Sequence, residues 1–233
     1  MATSGHQQNQ LLARLDRPTF GAIESHLSIV QLELGQVLAD THALTQKVYF
    51  PHAGIISCVV ELVSGGAIET AMIGKDGQFG GGPALDHKIS PNRVIMQVEG
   101  SASVIGSDRL RLIAQERPNL REMILRYELF FLAQVQQTAA CNAAHDVNAR
   151  TCKWLLRMQK LVGDELSLTQ EFLAQMMGVR RTSVTEIAGE LQRLGMISYS
   201  RGHIRIRDLA QIQERACECD EAVNSHYARI VKG

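Results

Sequence analysis

The sequence predicts an α+β chain in three parts: a sheet-rich N-terminal region built as a sandwich or barrel, one long amphipathic helix, and a C-terminal winged helix-turn-helix. Three observations predict it. Short β-like segments punctuated by glycine fill 27–105; apolar residues recur at helical spacing through 118–144; and 168–208 reads as helix, tight turn, helix and hairpin.

The chain opens on a polar MATSGHQQNQ, and Leu11, Leu12, Leu15, Ile23 and Leu27 are spaced for one face of a short helix within 1–26. From 27 to about 105 the segments QLELGQVL, KVYFP, GIISCVVEL, AIETAMI, RVIMQVEG and SASVIG follow at close spacing, a sheet domain expected over 27–117. Gly35, Gly54, Gly65, Gly66, Gly74, Gly77 and Gly100 fall between the runs and read as turns. Pro118 then opens a helix of about 27 residues, roughly 40 Å long, assigned to 118–145. Its stripe of Leu120, Ile124, Tyr127, Phe131, Val135 and Thr138 is the expected seam of a two-fold dimer. Asp146 is placed to cap the next helix, 147–162, and this junction is the candidate hinge.

The most informative stretch is LTQEFLAQMMGVRRTSVTEIAGELQRLGMISYSRGHIRIRD, the heart of a domain expected over 146–208. Thr169 can cap the first helix and Gly178 supplies the positive φ of the turn. Val184, Ile187, Leu191 and Leu194 face inward from the second helix, which Gly195 closes. Ser200-Arg201-Gly202 suits a hairpin loop. Such a unit reads double-stranded DNA: a helix enters the major groove and its N-terminal side chains reach base edges. Those side chains are Arg180, Arg181, Thr182 and Ser183, with Thr185 and Glu186 a turn further on and Arg201 and His203 on the wing for phosphate. A C-terminal helix is expected over 209–230, within a last segment of 209–233.

Composition agrees. Apolar content of 45% and charge of 21% belong to a globular protein, and no stretch approaches the ~20 apolar residues of a membrane span. Five scattered cysteines point to a reducing cytoplasm rather than a disulfide framework. The formal net charge of zero hides an asymmetry: residues 147–207 carry ten Lys/Arg against five Asp/Glu. That excess fits a polyanionic partner. There is no phosphate-binding Gly-rich loop ending in Lys-Ser/Thr, no Gly-x-Ser-x-Gly and no His-Glu-x-x-His, so nothing recommends an enzyme.

In this order of parts, and in the 168–206 motif preceded by DVNARTCKWLL, the chain resembles the Crp/Fnr family of bacterial transcription regulators over about residues 20–207. The resemblance implies an N-terminal jelly roll like a cyclic-nucleotide-binding domain and a homodimer on a two-fold-related operator. It also implies contact with RNA polymerase and a small-molecule effector acting across the hinge. The family commonly places Arg-Glu, then Arg four positions after that Glu, on its reading helix; Arg181 keeps the first position, whereas Thr182 and Glu186 fill the others. For an effector, the matching region is Gly80-Gly81-Gly82-Pro83-Ala84-Leu85 followed by Arg93. The glycine amides and Arg93 suit an anion. The acid and hydroxyl that cyclic-nucleotide members use are missing, which speaks against cyclic AMP. The iron–sulfur members use an N-terminal cysteine cluster, and here no cysteine precedes Cys58.

The other readings are a constitutive binder with a vestigial sensor and a thiol- or metal-responsive regulator. Cys141 and His145 share one helix face at i, i+4 and could ligate zinc or haem, although packing is the plainer reading. Cys217 and Cys219, two apart on the expected C-terminal helix, point to different faces and are poorly placed for one metal. His42, His52 and His87 lie in turn-rich segments and receive no role.

Overall fold

The structure is a computed structural model that describes residues 5–63, 65–86 and 89–232. It divides into two units, 1–58 with 72–132 and 228–233, and 59–71 with 133–227. The boundaries read from the sequence fall elsewhere: the division cuts the long helix after 132 and counts 59–71 with the C-terminal half. His87 lies outside the described residues.

The N-terminal segment is two 3-10 turns, Gly5–Gln8 and Leu12–Arg14, before α1 (Arg17–Glu24), not one helix. Asn9 explains the shape. It is fully buried and satisfied at both ends of its side chain: its amide donates to Pro51 O and Gly77 O, each at 2.9 Å, and its oxygen accepts from the amides of Leu11 and Leu12.

The strands are β1 (Ser28–Leu32), β2 (Val37–Ala39), β3 (Lys47–Glu61), β4 (Ala67–Ile73) and β5 (Arg93–Gly106), with sheet order β1-β5-β3-β4 and β2 also on β5. β1 runs antiparallel to β5 from Ser28↔Val104 to Leu32↔Gly100. Between β4 and β5 stands the short α2 (Gly81–Leu85). The strands are fewer and longer than the sequence reading because Gly54 and Gly100 lie inside β3 and β5 rather than between strands. Here two backbones touch. A Cβ on Gly100 would sit 2.1 Å from Ala53 O, and one on Gly54, at φ +82°, would sit 2.5 Å from Val98 O. His52 likewise belongs to β3, buried, with Nε2 2.7 Å from Ser103 Oγ.

α3 (Ser107–Glu116) and α4 (Pro118–Ala144) follow. The core of the first unit joins Leu12, Phe20, Ile23, Phe50, Leu110 and Ile113 to Leu120 and Ile124 of α4. The second unit contains α5 (Val147–Val162), capped by Asp146 onto Ala149 N, then β6 (Glu165–Ser167), α6 (Gln170–Met177) and α7 (Arg181–Arg193). β7 (Ile197–Ser200) and β8 (His203–Ile206) complete a three-stranded sheet of order β6-β8-β7. Trp154 donates its indole N–H to the buried Glu69 at 2.9 Å. The expected C-terminal helix is broken into α8 (Leu209–Arg215) and α9 (Cys219–Tyr227) by an extended Ala216. No helix among the described residues is long and apolar enough to cross a membrane.

The contact at Gly100 predicts a contrast between two glycine substitutions. Gly100→Ala pushes a methyl into backbone and should cost about 3 kcal/mol in urea unfolding. Gly21→Ala, on α1 with open space around it, should gain about 0.5–1 kcal/mol. Equal effects would show that the β3–β5 contact is slack.

Candidate nucleic-acid interface

The helix-turn-helix is held by local chemistry. Thr169 accepts the amide of Phe172 at 3.1 Å, and Gly178, at φ +64°, turns the chain while its amide and that of Val179 close onto Gln175 O and Ala174 O. Arg150 of α5 donates to Met177 O at 2.8 Å, tying the end of α6 to the helix before it. Tyr199 of β7 accepts the amide of Gln170, so the hairpin grips the start of α6.

α7 buries Val184, Ala188 and Leu191 and turns its other face outward. Arg180, Arg181, Thr182, Thr185 and Glu186 are exposed, and Ser183 is half-buried. Leu194 is not an inward residue: α7 ends at Arg193, Gly195 turns at φ +76°, and Leu194 is left 43% exposed. No side chain caps α7 at Arg180, which leaves its positive end available to a phosphate. Arg181 Nη1 lies 3.5 Å from the Glu171 carboxylate, and Thr185 Oγ1 lies 2.7 Å from Gln170 Oε1. Gln170 and Glu171, at the start of α6, thus lie beside the exposed side chains of α7.

In the wing, Arg201 (φ +48°) and Gly202 (φ +82°) are the two positive-φ residues of a tight hairpin turn. Along β8 the alternation is strict: Ile204 and Ile206 are buried, whereas His203, Arg205 and, just beyond the strand, Arg207 are exposed. Arg205 and Arg207 share the exposed side of the wing with His203, as the period of two in the sequence implies. Arg205 pairs with Glu165, Arg207 Nε donates to Ser198 Oγ, and His203 Nδ1 lies 3.2 Å from Ser167 Oγ.

Half of the expected dimer stripe of α4 is taken up by its own unit. Leu120, Ile124 and Tyr127 are completely buried against their own unit, and Phe131, Val135 and Thr138 are half-buried. Tyr127 fits so closely that a Cβ on Gly77 would sit 2.0 Å from its hydroxyl. Another stripe is exposed throughout: Glu122, Leu125, Leu129, Leu132, Gln136, Ala139 and Ala143, with steps of 3, 4, 3, 4, 3 and 4. Leu125, Leu129 and Leu132 are 44%, 57% and 51% exposed.

The glycine segment does not offer the free amides an anion needs. Gly80, at φ +93°, precedes α2; Gly81 N donates to Gln78 Oε1 at 2.7 Å and Gly82 N to Glu128 Oε1 at 3.1 Å. Glu128 also accepts from Gln78 Nε2 at 2.8 Å. Arg93 lies 3.7 Å from Asp40. Beside these groups is a cavity of ≈ 80 Å³ lined by Cys58, Phe79, Pro83, Val94, Glu128 and Phe131 among others. Burial pushes the Glu128 carboxyl above its ordinary range, against the pull of its bonds from Gln78 and Gly82.

The cysteines also depart from expectation. The break at Ala216 frees Cys217 from helical geometry, so it and Cys219 converge with Cys141 and His145. Cys141 Sγ is 3.5 Å from Cys217 Sγ, and Cys219 Sγ is 3.6 Å from His145 Nδ1. Burial pushes Cys141 up to about 12 despite Lys153, and Cys217 also rises with burial. As thiols rather than thiolates these two are poor nucleophiles.

Residues 149–215 match the Crp-like helix-turn-helix domain. No curated protein matches the chain. Among solved structures it is similar to FixK2 of Bradyrhizobium japonicum, at 13% identity and TM-score 0.69 over 82% of this chain and 98% of that one. A CRP-family transcriptional regulator from Thermus thermophilus is 20% identical, TM-score 0.68, over 80% and 96%. The c-di-GMP-responsive regulator CLP of Xanthomonas campestris is 16% identical, TM-score 0.66, over 82% and 99%.

The buried carboxyl gives the first unit a pH signature. A raised folded-state value means that Glu128 contributes stability at low pH that is lost as pH rises through that value. Glu128→Gln keeps an oxygen for Gly82 and Gln78 without the charge. Its melting temperature should therefore gain on wild type between pH 5 and pH 8, and a constant difference would mean that the carboxyl titrates normally.

Proposed function

We infer, from a chain with a Crp-like helix-turn-helix domain over 149–215 and the fold of Crp/Fnr-type transcription regulators, that this protein is a sequence-specific DNA-binding regulator acting as a homodimer in the cytoplasm. One observation carries the reading. The exposed polar face at the start of α7 stands on a helix whose other face is buried, beside a wing edged by Arg201, His203, Arg205 and Arg207. Arg181 suits guanine O6 and N7, Thr182 and Thr185 a thymine methyl, and Glu186 the amino group of cytosine. Arg180, Ser183 and the wing residues take phosphates. The departures at Thr182 and Glu186 from the family pattern lead to an operator unlike the usual family half-site.

A second copy covers the outer face of α4. Its 3-4 spacing of exposed leucines is the pattern of a two-helix seam, and related copies would place two α7 helices on a two-fold-related operator. The bound dimer presents itself to RNA polymerase. If an effector enters the small cavity of the first unit, the carboxylate of Glu128 and the occupied glycine amides favour an uncharged or cationic molecule over a nucleotide phosphate. The constitutive alternative predicts that no small molecule changes DNA affinity.

Two substitutions test this. Arg181→Ala should cost about 1–3 kcal/mol on specific DNA and relax preference at one base pair. Equal loss on random DNA would demote it to a phosphate contact, and no loss would remove α7 from the groove. Leu129→Arg should shift sedimentation from dimer to monomer and weaken binding of a full operator roughly 100-fold. An unchanged dimer would refute the outer seam.

A further inference from the structure

We propose that Cys141, His145, Cys217 and Cys219 form a closed zinc site. Their four ligand atoms all lie within 4.8 Å of one another. A tetrahedral zinc with three thiolates and an imidazole separates its ligand atoms by about 3.5–3.8 Å, and the Cys141–Cys217 and Cys219–His145 pairs stand at 3.5 and 3.6 Å. Drawing in the wider pairs takes shifts of about 1 Å, within reach of side-chain rotation.

The surroundings are those of a metal site. His145 turns Nδ1 to the thiols while Nε2 lies 3.2 Å from a Glu218 carboxylate oxygen, an outer partner that fixes the ring and its tautomer. Gln137 Nε2 donates to Cys219 Sγ at 3.1 Å, a bond that favours a thiolate. The three cysteines are at most 8% exposed, so the thiols are shielded from bulk water. Three soft sulfurs and one imidazole select zinc over magnesium, calcium or manganese. Four protein donors fill the coordination sphere and leave no open position, so the ion is structural. On binding, the three thiols release their protons to solvent as Zn–S bonds form, with no change of oxidation state.

The site joins the C-terminal end of α4 to the link between α8 and α9. Asp146, the cap of α5, follows His145 directly. The metal thus fixes how the chain leaves the long helix just before the DNA-reading domain begins.

The test is metal content of the full chain, purified reduced and without chelator, with a cobalt titration of the stripped protein. About one zinc per chain is expected, together with a visible thiolate-to-cobalt charge-transfer band. Cys217→Ser and Cys219→Ser should each lose most of the zinc, and Cys58→Ala, a cysteine of the first unit, should keep it. Folded wild type that takes up neither zinc nor cobalt overturns the proposal, even if the serine variants fail to fold. So does a Cys141–Cys217 disulfide that forms in place of metal binding. Neither readout depends on DNA binding.

Discussion

One helix has to satisfy two apolar faces at once. Through Leu120, Ile124 and Tyr127 the inner face of α4 completes the packing of the N-terminal unit, and Gly77 has no side chain because Tyr127 occupies the space. The outer face carries Leu125, Leu129 and Leu132 in water, an arrangement a single chain leaves uncovered. The homodimer proposed above covers it, and two-fold pairing at that seam would present two α7 helices to paired half-sites.

The proposed reading helix is a problem of presentation. Side chains meant for bases must be exposed yet aimed, and α7 holds its outer face in place by burying Val184, Ala188 and Leu191 behind it while Gly178 and Tyr199 fix the helix relative to α6 and the wing. Electrostatics follows the same geography. A chain of zero formal charge carries its basic excess in 147–207, so affinity for DNA should fall steeply with salt. The four-residue cluster of Cys141, His145, Cys217 and Cys219 lies in the same unit and ties the start of that domain to its end.

What was legible in the sequence was local. The Thr169 cap, the Gly178 turn, the burial of Val184 and Leu191 on α7 and the Arg201-Gly202 loop each involve residues a few positions apart and lie where the pattern placed them, whereas Leu194, past the end of α7, does not. What was not legible depended on distant partners. Gly54 and Gly100 looked like turns because their reason, a close approach of β3 to β5, links residues far apart in the chain. α4 has apolar residues at 3–4 spacing on both faces, and spacing alone does not say that Leu120, Ile124 and Tyr127 belong to the core of their own unit. Glu128 carried no signal because Gln78 lies 50 residues away. The helix break at Ala216 involves neither glycine nor proline, so nothing nearby announced that Cys217 and Cys219 would face a common centre.

The most direct measurement of the central claim is selection of genomic fragments by the purified full chain at stated salt, followed by footprinting of those retained. The account predicts a two-fold-related site whose half-sites are about 10–10.5 base pairs apart, protected by a dimer. A site without two-fold symmetry, bound by one chain, would contradict it. So would failure to enrich any fragment even in cell extract, where small-molecule effectors are present.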